Sequence, residues 1–188
     1  RYAKFIISML PLIAVGFWED MIRPTTPRIR IFAILTSTCF TILTANIWIN
    51  RIDLPIFDIW LSGITGILFT IAIVVGVVNA LNMIDGLNGL CSGISLAGFV
   101  ALRSICQTVE YDFLSEVILL CCFATLGFLI FNFPFGSIFL GDSGAYTLGY
   151  LLVWFGISLT AHYEVVSPWA IFLILSYPIC DLVFTISR

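Results

Sequence analysis

The stretch Ile67 to Leu90, ILFTIAIVVGVVNALNMIDGLNGL, decides how the chain is read. Its first half belongs to an apolar run covering 59–80. Its second half sets Asn79, Asn82, Asp85 and Asn88 among glycines before the next apolar run opens at 90. A run of this kind matches the ~20 residues that a helix needs to cross ~30 Å of hydrocarbon. Each step of three residues turns a regular helix by about 300°, so four polar residues spaced by three cannot form one stripe. Gly86 and Gly89 offer backbone conformations that a helix interior disfavours. The stretch predicts a helix that breaks near Asp85 and restarts near Leu87, and such breaks are tolerated at membrane depth where they line a cavity. For any one of these residues a simple cap at an interfacial turn is the plainer reading; their density favours a binding site.

Working outward, six more apolar stretches lie between polar punctuation, at 5–17, 31–49, 90–106, 115–131, 144–161 and 169–186. Hydrophobic residues make up 61% of the chain and charged ones 10%, against roughly 45–50% and about 25% in soluble domains, which excludes an ordinary water-soluble fold. Near-continuous hydrophobicity favours helices over the alternation of a membrane barrel. The expected fold is all-α: a polytopic transmembrane bundle of about seven spans with cytosolic active-site loops, forming one domain over 1–188. Because the chain opens with Arg1 and stops directly after an apolar run, it is expected to be a piece of a longer protein, and no signal peptide is visible. A net charge of −3 gives no basic surface for nucleic acid. The six cysteines lie in apolar runs without CxxC spacing and are read as inert thiols.

If every stretch crosses the membrane, one face receives 18–30, 82–88, 132–143 and the C-terminal end. The other receives 50–58, 107–114 and 162–168. All motif-like sequence then falls on one side. Arginine and lysine divide evenly between the faces, and only the cluster Arg23, Arg28 and Arg30 leans toward a cytoplasmic motif side.

A carboxylate at membrane depth costs about 2.5–3.5 kcal/mol on insertion scales, so it usually faces a cavity and serves a function. The motif-side acids are Glu19, Asp20, Asp85, Asp142 and, deeper in its span, Asp181. Asp142 follows FNFPFGSIFLG, in which Asn132 and several phenylalanines, Phe139 among them, flank flexible glycines. Asp142 or Ser143 could cap a helix, and the phenylalanines could be lipid anchors or a platform for a planar ring. The three arginines either anchor the loop or attract a phosphate. Oxygen-only ligands from three loops favour Mg²⁺ or Mn²⁺ over zinc, and magnesium commonly pairs one or two carboxylates with substrate phosphates.

In this pattern the chain resembles the polyprenyl-phosphate N-acetylhexosamine-1-phosphate transferases, integral-membrane enzymes of peptidoglycan, lipopolysaccharide and other envelope-polymer synthesis. NALNMIDGLNGL is similar to the family's NxxNxxDGxxGL segment. FNFPFGSIFLGDSGAYTLG is similar to its FN…FxGDxGSxxLG segment, and SYPICDLVFTISR looks like the span before its histidine-bearing cytosolic loop. The resemblance implies a Mg²⁺-dependent transfer at the cytoplasmic face of the plasma membrane. A polyprenyl phosphate, usually undecaprenyl phosphate, attacks the β-phosphorus of a UDP-N-acetylhexosamine and releases UMP.

It further implies Glu19, Asp20, Asp85 and Asp142 as catalytic residues and Asp142 with Asp20 as metal ligands. Asp85 and Asn88 would lie in the nucleotide-sugar cleft with Asn82 as a further substrate-binding residue, Asn132 would help hold the nucleotide, and Phe139 would stack on uracil. The membrane is one partner and a second copy of the chain, as a homodimer, is another option. Three departures stand out. Glu19-Asp20 replaces the family's Asp-Asp pair, Arg23 stands where some members and Asn88 where many have an aspartate, and the histidine motif would fall beyond Arg188, with His162 expected on the opposite face and no substitute for it. The competing readings are a transporter or flippase-like protein, with acids at the bilayer midplane and internal repeats, and an inactive truncated transferase.

Overall fold

The computed structural model describes residues 2–22 and 25–187. Among them the helices are α1 (Tyr2–Met21), α2 (Pro27–Ala45), α3 (Pro55–Trp60), α4 (Ile64–Ile84), α5 (Leu90–Thr108), α6 (Asp112–Asn132), α7 (Gly141–His162), α8 (Pro168–Ile174) and α9 (Ser176–Ile186). Proline opens α2, α3 and α8 at their first positions, where its missing N–H costs no intrahelical bond. Asn46 in the left-handed region ends α2, so the apolar tail of the 31–49 stretch leaves the helix, and Ile49 N–H donates to Thr70 Oγ1 at 2.8 Å.

Five helices, α2, α4, α5, α6 and α7, are long and apolar enough to cross a membrane, and α8 with α9 form a sixth candidate bent by 64°. The expectation of about seven spans is thus met by five or six. The 5–17 stretch lies inside the 20-residue α1 but is not among those candidates. The bend in the last stretch has a local cause. Pro178 cannot donate to the carbonyl of Ile174 and its ring crowds that carbonyl, so the helix breaks at Leu175.

The central element is α7, whose span is 61% buried against 28–39% in the other four. It packs on α1, α4 and α5, while α6 lies against α5 and α2 against α1 and α4. Small residues permit the close approaches, as expected where packing rather than water drives helix association. A Cβ on Gly149 would lie 3.1 Å from the Val78 backbone, and one on Gly16 only 2.5 Å from Ser143 Cα. A buried hydroxyl chain, Ser8 Oγ to Thr41 Oγ1 (2.5 Å) to Tyr150 OH (2.6 Å), ties α1, α2 and α7 together. Large apolar side chains such as Leu43, Leu68, Leu120 and Phe123 are exposed around the bundle, which suits a hydrocarbon surround.

The two sets of connections separate as the alternation of spans requires. At one end Arg51 donates to the carbonyls of Tyr163, Glu164 and Val166 and pairs with Asp53, while Tyr111 packs its ring against His162 and Tyr163. His162 is therefore remote from the motif loops, which meet at the other end.

Candidate functional site

The motif end is assembled around the start of α7. Asp20, in the last turn of α1, accepts from the backbone N–H of Asp142 (2.8 Å) and of Ser143 (3.1 Å), and from Ser143 Oγ (2.6 Å). First-turn amides have no partner within their own helix, so Asp20 caps α7 from across the bundle and its charge suits the positive end of that helix. Two glycines make room. Gly16 lets α1 touch the α7 backbone one turn before Asp20. Gly141, at φ +71°, lies so near that a Cβ there would sit 2.7 Å from Asp20 Oδ2.

Asp142 is presented by the same turn. Its Oδ1 accepts from Asn82 Nδ2 at 2.6 Å and its Oδ2 lies 3.9 Å from Arg30 Nη2. Asp85 follows the last residue of α4, where burial, and then the nearby carboxylates of Asp142 and Asp20, push its carboxyl up to about 6. Acids from the ends of α1, α4 and α7 thus share one neighbourhood. A transporter reading wants acids at the midplane; these sit at helix ends.

The α4–α5 connection turns through 85–89, with α5 starting at Leu90 rather than near Leu87. Gly89, at φ +79°, donates its N–H to Asn132 Oδ1 (2.5 Å), and Asn132 Nδ2 donates to Ile138 O (2.7 Å). Asn132, 6% exposed, therefore clasps the 85–89 turn to the 133–140 loop. Asn88 adds a bond to Pro134 O at 3.3 Å. Phe139 is 82% exposed on that loop, with its ring open to a planar partner. Asn79 turns back to Val75 O on its own helix. Asp181 lies on α9 and among the described residues enters no ion pair with the site; Arg23 falls outside those residues.

Glu19 is the one predicted acid that faces inward. Its side chain is fully buried and bonded to Thr25, Arg30 and Tyr146. Thr25, Tyr146 and Gly16 were missed in the sequence, which offered Ser143 only as a possible cap of its own helix. Only Tyr146 carried a signal, one helical turn after Asp142 and so on the same face.

No group of three or more His, Cys, Asp or Glu side chains is preassembled to hold a metal among the described residues. The donor set still fits magnesium, which retains waters and needs only one or two carboxylates when phosphates complete its shell. Asp142 and Asp85 would supply those oxygens; Asp20, expected as the second ligand, directs its carboxylate at the Asp142 and Ser143 amides and the Ser143 hydroxyl, and an added cation would offset the burial and the carboxylate repulsion that raise Asp85.

The family model described as glycosyl transferase family 4 matches residues 2–160. A Bacillus subtilis (strain 168) protein named "Probable undecaprenyl-phosphate N-acetylglucosaminyl 1-phosphate transferase" is 36% identical over 122 residues, 63% of this chain and 34% of its own. The "Undecaprenyl-phosphate alpha-N-acetylglucosaminyl 1-phosphate transferase" of Thermotoga maritima is 32% identical over 79% of this chain and 43% of its own. A "Phospho-N-acetylmuramoyl-pentapeptide-transferase" of Lactiplantibacillus plantarum is 30% identical over 80% of this chain and 49% of its own. The chain spans about a third to a half of the length of these relatives.

Proposed function

Since the chain belongs to glycosyl transferase family 4, we propose that it carries the membrane-embedded core of a polyprenyl-phosphate N-acetylhexosamine-1-phosphate transferase of envelope-polymer synthesis. The observation that supports this most is the convergence of Asp20, Asp85 and Asp142, from three separate helix ends, beside Arg30 and Asn82. Such a rim suits a substrate with one end in lipid and a diphosphate in water.

In this reading a phosphate oxygen of the polyprenyl phosphate attacks the β-phosphorus of a UDP-N-acetylhexosamine. The bond from that phosphorus to the bridging oxygen breaks, and UMP leaves with the electron pair. A phosphate monoester has its second pKa near 6, so the nucleophile is already ionised near neutrality and needs no dedicated base. A divalent cation, Mg²⁺ or Mn²⁺, held by Asp142 and Asp85 would lower the repulsion between the two phosphates. The chain's own residues fix the geometry on which phosphoryl transfer depends. Asn82 and Arg30 hold the Asp142 carboxylate, and Asp20 locks the first turn of α7 that presents it. The Asn132 clasp sets Phe139 and Asn88 along the cleft, where Phe139 offers its face to uracil. In this reading the motif loops face the cytoplasm, the side toward which the Arg23, Arg28 and Arg30 cluster leans.

The direct test is UMP release by the intact protein from several UDP-sugars with undecaprenyl phosphate and Mg²⁺. Release that requires the lipid phosphate is expected; turnover of none of the donors would refute the reading. A pH dependence follows from Asp85. Its carboxyl is mostly neutral below about pH 6 and charged above it, and a bound cation must displace that proton. Mn²⁺ affinity should therefore rise about tenfold between pH 5 and 7 and then flatten. Asp85→Asn should remove the rise; an unaltered slope in that variant would show that another group carries it.

A further inference from the structure

A carboxylate near the end of an apolar helix ordinarily turns toward water or a ligand. Glu19 does neither. Its side chain is 0% exposed. Oε1 accepts from Thr25 N–H (3.1 Å), from Thr25 Oγ1, and from Arg30 Nε (2.7 Å), and Oε2 accepts from Tyr146 OH (2.9 Å). Each carboxylate oxygen offers about two lone-pair directions; three donors crowd Oε1 and Tyr146 takes one direction of Oε2. The remaining direction of Oε2 is sealed inside the protein, since the side chain is 0% exposed, so a hydrated cation or a substrate proton has no approach to it.

The consequence falls on Arg30. A guanidinium is a rigid fork of five donors, and here its Nε is pinned by Glu19. That fixes the outer nitrogens on the side of Asp142, with Nη2 3.9 Å from Oδ2, and leaves the Arg30 side chain 27% and Asp142 31% exposed. The fork is thus anchored at its root and open at its tips, beside the carboxylate assigned to the cation. The Glu-for-Asp departure acquires a physical reason as well. An aspartate would draw the carboxylate back by ~1.5 Å, one carbon–carbon bond, and away from the Arg30 contact.

We propose that Glu19 is a positioning residue that holds the Arg30 guanidinium beside Asp142 to receive a substrate phosphate, and that it is neither a metal ligand nor a base. The phosphate belongs to the nucleotide diphosphate or to the lipid, a part of the inference that rests on the transferase reading above; the exclusion of Glu19 from the metal shell does not.

The test uses the intact protein with Glu19→Gln, Arg30→Gln, Arg30→Lys and the double Gln variant, and Asp142→Asn as reference. Free Mn²⁺ is measured by electron paramagnetic resonance, and KM is measured separately for UDP-sugar and for undecaprenyl phosphate. Glu19→Gln should leave Mn²⁺ affinity within about threefold, whereas loss of a true ligand should weaken it a hundredfold or more. One KM should rise about tenfold in Glu19→Gln and Arg30→Gln, as expected for a lost bond to a charged group. Arg30→Lys should recover part of that loss. The double variant should be no worse than Arg30→Gln alone, because one residue acts through the other. A rise confined to the UDP-sugar assigns Arg30 to the diphosphate, and one confined to the lipid assigns it to the acceptor; a rise in neither overturns the proposal. So does a Mn²⁺ loss in Glu19→Gln matching that of Asp142→Asn, or additive losses in the double variant. If Glu19→Gln does not fold, Tyr146→Phe removes only the 2.9 Å bond, and a small KM rise at constant Mn²⁺ affinity is then the expected result. Should the wild-type protein release no UMP, the transferase reading fails while the Mn²⁺ comparison still decides whether Glu19 is a ligand.

Discussion

Asparagine in place of Asp142 should lower UMP release by about three orders of magnitude, the scale at which removing one preorganised charge-stabilising group is felt. The substitution is nearly isosteric, so folding should survive it. Asn82 donates to Oδ1 at 2.6 Å, and the new side chain can keep its carbonyl there. What is lost is the charge on Oδ2, the oxygen turned toward Arg30 and the cleft. Expression in the membrane and the unfolding temperature in detergent should match the parent, so the activity loss would report chemistry. Turnover within about tenfold of wild type would remove Asp142 from the reaction.

The second large effect belongs to a residue with no side chain. Gly16→Val should cut activity about a hundredfold and destabilise the bundle by about 1–3 kcal/mol, the usual range for overpacking. A Cβ at Gly16 would meet Ser143 Cα at 2.5 Å and Ser143 N at 2.8 Å. Both are backbone atoms that cannot swing aside, so α1 must move off α7. Asp20, one turn later, would then lose the Asp142 and Ser143 amides, and the turn presenting Asp142 would lose its cap. Gly76→Ala is the control, since nothing lies within 4 Å of a Cβ at that position, and it should leave activity unchanged and thermal stability equal to or slightly above the parent, as alanine favours a helix interior. Equal behaviour of the two glycine variants would show that the α1–α7 contact does not support the site.

What could be read from the chain follows from what each signal measures. Apolar length is local, so α2 and α4 to α7 fall where hydrophobicity put them, shifted at the ends by Asn46, Gly89 and other caps. Alternation of spans then gathered 18–30, 82–88 and 132–143 on one face, and the bonds from Asp20 to α7 and from Asn82 to Asp142 bear this out. Local signals underrated Pro178, which divides the last stretch into α8 and α9 and was visible in SYPIC.

The roles within the site were less legible, because they depend on partners far apart in the chain. Glu19 and Asp20 are neighbours of identical charge, yet a helix points successive residues in different directions. One meets Tyr146, 127 positions away, and is sealed; the other meets the amides of α7 at an exposed rim. Asn132 likewise reads as a ligand group in sequence, while its amide is spent on Gly89 and Ile138. Motif spacing reports which residues gather, and only the packing of α1 on α7 reports which way each one faces.

The central claim is that the ends of α1, α4 and α7 converge on one divalent cation shared with a phosphate-bearing substrate. Its most direct test is an anomalous-scattering map of the intact protein crystallised with Mn²⁺ and UMP. The account predicts a metal peak bonded to an Asp142 carboxylate oxygen at about 2.0–2.2 Å, with Asp85 in its first or water-bridged shell, a UMP phosphate oxygen beside it and Glu19 outside. A peak bonded to Glu19, or Mn²⁺ seated away from Asp142, would contradict it.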